Sequence, residues 1–586
     1  MARIAGAFTA RQRPRGASAP DGALVTVRRD RGPRRRLRAS TCGLPLLAAS
    51  LLLAASCDDF ALVAVVDRDG PVVMPPAIAD GGGSADATND ASAFDAAASD
   101  AGRMVLDECG PGNSAGLSAE QVAKLMYAPT REPTQRFLYP YDGTVFPGGI
   151  SAPLVMWEGP SSDSVLLRLR TKTFDYFGCL EPSAPGQVAI PQNAWDEAGA
   201  ASSGAGDPIE LRLTTLSDGQ ASGPISLSYT HARGGFQGSI YYMSYGSTGT
   251  ASIWRLRARQ AAEPLFSAVD CSGCHAIAAN GTRLVGFSGG SGTAFRIDAN
   301  TLLDPEPISA LLPGGEYAGV YPDGSMYVAT AHRSTVGTRS LAVAAIDAEL
   351  FDVATGAAIP DANIPLGAMV PAFSPSGKLL AFNDFAIDDG HGLALMDFDA
   401  NAKVASHYRQ LLRDPASYPG WPSFLPDESA IVFAGGVSAD FSALGARLLG
   451  RTERGPDSDL HIVDVTSQTA SLLWRAMGFV RPGDPDADSY LPFGAEDLHQ
   501  SYYPSLSTVS SGGYAWVYFD SIRNYGNQGV LRQLWGAAID LSRDSDDPSH
   551  PAFYVPGQDS AAINLRPVTA IDPCPAENPG CSAQSK

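Results

Sequence analysis

The sequence predicts an all-β protein, and three observations carry that expectation. Gly and Pro punctuate the chain heavily, with 61 and 44 among 586 residues, as expected of many short strands joined by turns. Apolar and polar residues alternate with a period of two through much of 137–230, the spacing of half-buried strands. Beyond residue 238 a unit of strand, tight turn and strand recurs.

The charge is unevenly spread. Residues 1–40 hold eleven Arg against Asp21 and Asp30, or +9, and residues 41–57 carry none, so the net −20 leaves −29 for the rest. A surface that acidic repels nucleic acid, and no nucleic-acid partner is expected. After Arg34, Arg35, Arg36 and Arg38 comes the apolar stretch LPLLAASLLLAAS, residues 44–56, and then Cys57. A basic segment, a short apolar segment and small residues form a secretory signal over 1–57, too short to span a bilayer stably. The end of this stretch, LAASC, resembles the lipobox of bacterial lipoproteins, with Ala54 at a position where Leu is usual. The resemblance implies that Cys57 is lipidated and heads the mature chain, which is then an exported, membrane-anchored protein of the cell envelope, periplasmic or on the outer surface. Ordinary signal cleavage is the alternative, and the long basic run fits initiation near Val25 or Val27.

Residues 58–108, rich in Ala, Asp, Gly and Ser, bury too little apolar surface to order and are expected as a disordered tether, whose stretch 76–104 has a reach of about 30 Å. Residues 109–235 predict one short helix, with Ser118 as its N-cap and Gln121 completing a capping box, and then a small Ig-like β-sandwich. Its strands include LVMW (154–157), VLLRL (165–169), IELRL (209–213) and ISLSY (225–229). Trp157 is expected as its core anchor, with a ligand groove the alternative. Cys109 and Cys179 are candidates for one disulfide, and Cys574 and Cys581, in the tail 571–586, for another.

The recurring unit is clearest in PAFSPSGKLLAF, residues 371–382. Weaker copies are VYPDGSMYV (320–328) and PSFLPDESAIVF (422–433), and a degenerate one runs from YPSL (503–506) to WVY (516–518). These copies resemble the TolB-type β-propeller, a relative of the WD-repeat propellers, over about 236–570. The resemblance implies a six-bladed β-propeller whose first blade, from Ile240 to Leu256, is completed by residues 564–568. Setting the NGTRLV stretch, 280–285, on the Ser376-Gly377 turn puts Cys274 and His275 at the entrance of an inner strand, beside a central channel.

Those two residues end the segment CSGCH, 271–275. Two thiols two residues apart, with a histidine directly after, form the attachment motif of c-type haem. The motif implies one covalent haem c, with Cys271 and Cys274 as thioether donors and His275 as proximal iron ligand. The alternatives are a Cys271–Cys274 disulfide or half of a zinc site, for which no second Cys pair of suitable spacing exists. A cytochrome c domain would start a helix here, whereas the residues after His275 permit one turn at most. Met369 is the candidate distal ligand, with His332, His391 and His499 as others; an open sixth position would favour small-ligand or peroxide chemistry. Asp484, Asp486 and Asp488 resemble the start of a calcium loop but lack its Gly and Glu, so a solvated loop is expected.

The expected function is single-electron transfer in the envelope, with a redox or envelope protein as partner. A protein- or glycan-binding scaffold stapled by Cys271–Cys274 is the alternative. Were the chain an enzyme, it would be a haem-dependent oxidoreductase, though dihaem peroxidases carry two such motifs and this chain has one.

Overall fold

The computed structural model describes residues 102–128, 132–245, 251–266, 274–288, 291–297, 306–313, 317–332, 346–385, 389–436, 457–481, 489–529 and 531–573. Cys57, Cys271, Cys574, Cys581, the stretch 484–488 and the expected tether up to residue 101 lie outside the described residues. No described helix is long and apolar enough to cross a membrane.

The first part of the chain forms two sheets. One has six strands, in the order Met104–Glu108, Phe174–Leu180, Ser164–Arg170, Ile209–Ser217, Gln220–Gly235 and Val145–Gly148; the other has Arg136–Tyr139, Leu154–Glu158 and Gln187–Ala189. Period-two alternation turns Val165, Leu167 and Leu169 inward, where they share a core with Val155, Trp157 and Val188 of the smaller sheet. The helix Ala119–Met126 has its capping box, Ser118 with Gln121, and packs Leu125 on Leu166, Leu216 and the disulfide Cys109–Cys179.

Three features differ from the sequence expectation. Met104–Glu108 is an edge strand parallel to Phe174–Leu180, so the segment expected as tether is ordered at its end by backbone pairing. A second helix, Gln192–Ala201, buries Ala194, Trp195 and Ala198; its Ala-rich sequence has no side-chain cap to announce it. Finally, the core does not stop at residue 235. It continues through Ile240, Tyr242, Trp516, Tyr518 and Phe553, so the two-sheet region and the following sheets share one apolar interior.

From residue 239 the chain builds six successive antiparallel sheets, consistent with propeller blades. The first comprises Ser239–Tyr245, Ala251–Arg257 and Glu263–Phe266, joined by Ile563–Ala570 from the far end of the chain. The second is Cys274–Ile277, Arg283–Ser288, Ser291–Arg296 and Glu306–Pro313; the third, Tyr317–Val320, Met326–His332 and Ile346–Asp352. The fourth is Ala368–Phe373, Leu379–Asp384, Gly392–Asp399 and Val404–Arg413; the fifth, Tyr418–Phe424, Ala430–Gly436, Ser458–Asp464 and Ala470–Leu472. The sixth is Ser501–Leu506, Tyr514–Ser521, Gln533–Asp540 and Phe553–Tyr554. Cys274–Ile277 neighbours Tyr317–Val320, and the contacts continue through Ala368–Phe373, Tyr418–Phe424 and Ser501–Leu506 to Ile563–Ala570, which returns to Cys274–Ile277. Six inner strands therefore close a ring.

The recurring turn has a backbone cause. Gly281, Gly324 and Gly377 sit at φ of 69°, 79° and 72° between first and second strands, a region that glycine enters without penalty. In the fifth sheet Glu428 takes the left-handed place, at φ 61°, and its carboxylate accepts bonds from the Ser376 N–H and Oγ. That copy breaks the turn pattern and gains a link to the fourth sheet.

Candidate functional site

Four of the six inner strands share a device. Val370, Trp421, Tyr503 and Arg566 have φ of 44°, 57°, 51° and 54°, and each is followed by proline. The pairing register shifts around each of them. Proline disfavours the helical region for the residue before it, and non-glycine residues seldom turn left-handed. The β-bulge that results re-aims a side chain, and all four of these residues line one cavity on the ring.

His275 and Tyr317 belong to the two inner strands without that device, and both line the same cavity, of about 170 Å³. His275 lies in a regular strand, opposite Gly286. It is 1 % exposed, and neither ring nitrogen makes a hydrogen bond. Burial first, then the nearby Arg566 charge, push its pKa down to about 3 against the opposing backbone of Tyr241. The imidazole is therefore neutral in the folded chain, with a lone pair available at neutral pH.

Around it the cavity is aromatic and cationic. The Arg566 guanidinium lies 4.6 Å from the Trp421 ring centre, and Trp421 meets Tyr503 and Tyr317 edge to face at 4.5 and 5.3 Å. The Arg566 backbone N–H donates to Asp520 Oδ2 at 2.7 Å, while Arg532 Nε donates to Asp520 Oδ1 at 2.5 Å. Burial raises the Asp520 pKa to about 6 against the pull of Arg532.

The expected ligands are placed unevenly. Cys274 begins the inner strand, one residue from His275, whereas Cys271 is outside the described residues. Met369 is buried with Tyr317, Val370, Phe385 and Tyr502 and is not among the residues lining the cavity. His391 Nδ1 bonds the Ser417 carbonyl and stacks on Tyr418; His499 bonds Asp459. Of His332 only the backbone is described, at the end of Met326–His332. Trp157, at 2 % exposure, is core. No group of three or more His, Cys, Asp or Glu suited to a metal occurs among the described residues.

The imidazole fits an axial role for haem iron: it is buried and neutral, and among the described residues only the Tyr241 backbone comes near its nitrogens, neither of which reaches good hydrogen-bond geometry. Sequence reading found His275 but missed Trp421, Tyr503 and Arg566 as its neighbours. The signal that marks them is the dipeptide X-Pro recurring at Val370-Pro371, Trp421-Pro422, Tyr503-Pro504 and Arg566-Pro567.

No family model matches the chain, and no curated protein matches it. Among solved structures, TolB from Acinetobacter baumannii aligns at 14 % identity over 68 % of this chain and 90 % of that one, with a TM-score of 0.34. Kuenenia stuttgartiensis hydrazine synthase aligns at 13 % identity over 47 % and 64 %, with a TM-score of 0.27. The Dos1 propeller aligns at 11 % identity over 49 % and 62 %, with a TM-score of 0.27. Likenesses this remote carry no argument about chemistry. The chain is distantly similar in structure to TolB-like β-propellers.

Proposed function

We propose that this chain is an exported, lipid-anchored, six-bladed β-propeller preceded by a β-sandwich. It binds one haem c through Cys271, Cys274 and His275 and transfers single electrons in the cell envelope. The observation that carries this reading is the His275 imidazole, buried and with no well-formed hydrogen bond among the described residues, one residue after Cys274. A buried polar group is ordinarily satisfied, and an iron bond would satisfy one of these nitrogens. Bound there, the haem would supply the one-electron redox couple. The chain's own part is to hold the imidazole neutral, exclude water around it, and set Arg566 as a nearby positive charge. Met369 stays a sixth-ligand candidate only if it leaves its cluster with Phe385 and Tyr502, because it does not line the cavity.

One observation favours a second reading, a non-enzymatic protein- or glycan-binding scaffold with a Cys271–Cys274 disulfide. The cavity of about 170 Å³ is below the roughly 300–1,000 Å³ of ordinary cofactor pockets. The two readings part on one preparation: the full chain made in a host with a haem-attachment system. A haem increment in intact mass and a reduced α-band, both lost in Cys271→Ala and Cys274→Ala, support haem. An apoprotein mass in the unaltered chain leaves the scaffold. Met369→Ala should change the reduced spectrum if that thioether is the distal ligand.

A further inference from the structure

The β-sandwich holds another buried histidine, at its junction with the first propeller sheet, that the haem reading does not use. His231 lies in the strand Gln220–Gly235, in register with Phe146 of Val145–Gly148, and is 7 % exposed. The helix Gln192–Ala201 closes over it. A Cβ at Gly199 would collide with His231 Nδ1 and Cε1, so glycine is what lets the helix backbone come this close. Trp195, one turn earlier, meets the imidazole edge to face at 4.9 Å, and His231 Nε2 has no hydrogen-bond partner.

Two charged groups act on this ring, and they also bind each other. Asp196, on the same helix, accepts from Arg259 Nη2 at 2.7 Å, while Arg259 Nε donates to the Gly149 carbonyl at 3.3 Å. Arg259 stands in the turn between Ala251–Arg257 and Glu263–Phe266 of the first propeller sheet, so one guanidinium clasps the sandwich at two points. Val145–Gly148 brings no titratable side chain. On the histidine's own strand, burial raises the Tyr229 pKa and keeps that phenol neutral, and the Arg233 stem rests beside Gly204.

Neutral, the imidazole fills the space under Gly199 and leaves Asp196 to Arg259. Charged, it cannot stay buried without a partner, and Asp196 is the carboxylate that acts on it. We propose that His231 is an acid-operated latch: its protonation draws Asp196 from Arg259 to the imidazolium, lifts the helix Gln192–Ala201 off the sheet and loosens the sandwich from the first propeller sheet. Burial first, then Arg259, lower the folded pKa to about 4 against the pull of Asp196, below an exposed value of about 6.5. The latch is therefore held closed above pH 6.5, and opening gains about tenfold per pH unit below it until about pH 4.

Backbone hydrogen exchange of the full chain between pH 7 and pH 4, corrected for intrinsic rates, tests this. Amide protection in Gln192–Ala201 should fall about tenfold per pH unit below 6.5 while that of Leu379–Asp384 holds, and the fall should vanish in His231→Gln. Equal loss in both segments, a fall retained in His231→Gln, or protection independent of pH overturns the latch. If His231→Gln fails to fold, the titration midpoint of His231, read by hydrogen exchange at its ring carbon, decides. Competition for Asp196 raises that midpoint in Arg259→Gln and lowers it in Asp196→Asn; a midpoint unmoved in both overturns the proposal.

Discussion

Two kinds of inner strand meet at the channel. Those carrying Val370, Trp421, Tyr503 and Arg566 are bent by a left-handed residue before proline; the one carrying His275 is regular from Cys274 to Ile277. The bent strands deliver large or charged side chains that touch one another, as Arg566 does Trp421 and Trp421 does Tyr503. One of the two straight strands delivers an imidazole with no well-formed hydrogen bond among the described residues. Backbone strain of this kind, of order 1–3 kcal/mol per residue, persists where its surroundings over-determine it, and here the surroundings are the packed ring. Of the two strands without the strain, one presents His275 to the cavity and the other Tyr317.

The largest expected effect comes from breaking what anchors a bent strand. Asp520 is fully buried, paired with Arg532 and bonded to the Arg566 backbone. Asp520→Ala leaves Arg532 buried and uncompensated, at a cost of about 3–5 kcal/mol in denaturant unfolding. Imposing the bent geometry on the straight strand comes next. Ala276→Pro, opposite Val285, removes a ladder N–H, should cost about 1–3 kcal/mol and should displace any ligand of His275.

A pH titration sharpens the contrast, since among the described inner strands the one carrying His275 buries a histidine at the ring. The folded pKa of His275 is lowered to about 3, below an unfolded value of about 6.5. Its contribution is whole above pH 6.5 and falls as the pH drops, because the unfolded chain then binds the extra proton. In the haem-free Cys271→Ala/Cys274→Ala chain, unfolding free energy should fall by about 1.4 kcal/mol per pH unit below 6.5 through this group. Adding His275→Gln should remove that part of the slope. The smallest effect is expected at Pro371→Ala, under about 1 kcal/mol, because the bulge is held by its neighbours as well as by proline.

Much of the architecture was legible because its causes are local. Alternation exposed the strands, and the Gly281, Gly324 and Gly377 turns exposed the repeat. The copy at Glu428 was weaker for a visible reason, a non-glycine residue in the left-handed place. Long-range facts were less legible. Nothing in MVLDE distinguishes the strand Met104–Glu108 from a tether until Phe174–Leu180 lies beside it. Nor does alternation tell where one core ends, so the continuity from Trp157 to Trp516 and Phe553 was not foreseen. At the site, His275 was legible from the spacing of Cys271 and Cys274. Arg566 was not, because it comes from the other end of the chain and reaches the cavity only when Ile563–Ala570 closes the ring.

The most direct test of the central claim is the reduced visible spectrum of the full chain beside His275→Gly, with and without added imidazole. The account predicts haem still attached through both cysteines in the variant, a changed axial-ligand spectrum, and return toward the unaltered spectrum when imidazole fills the gap. A variant spectrum identical to that of the unaltered chain, or no haem in either, would contradict it.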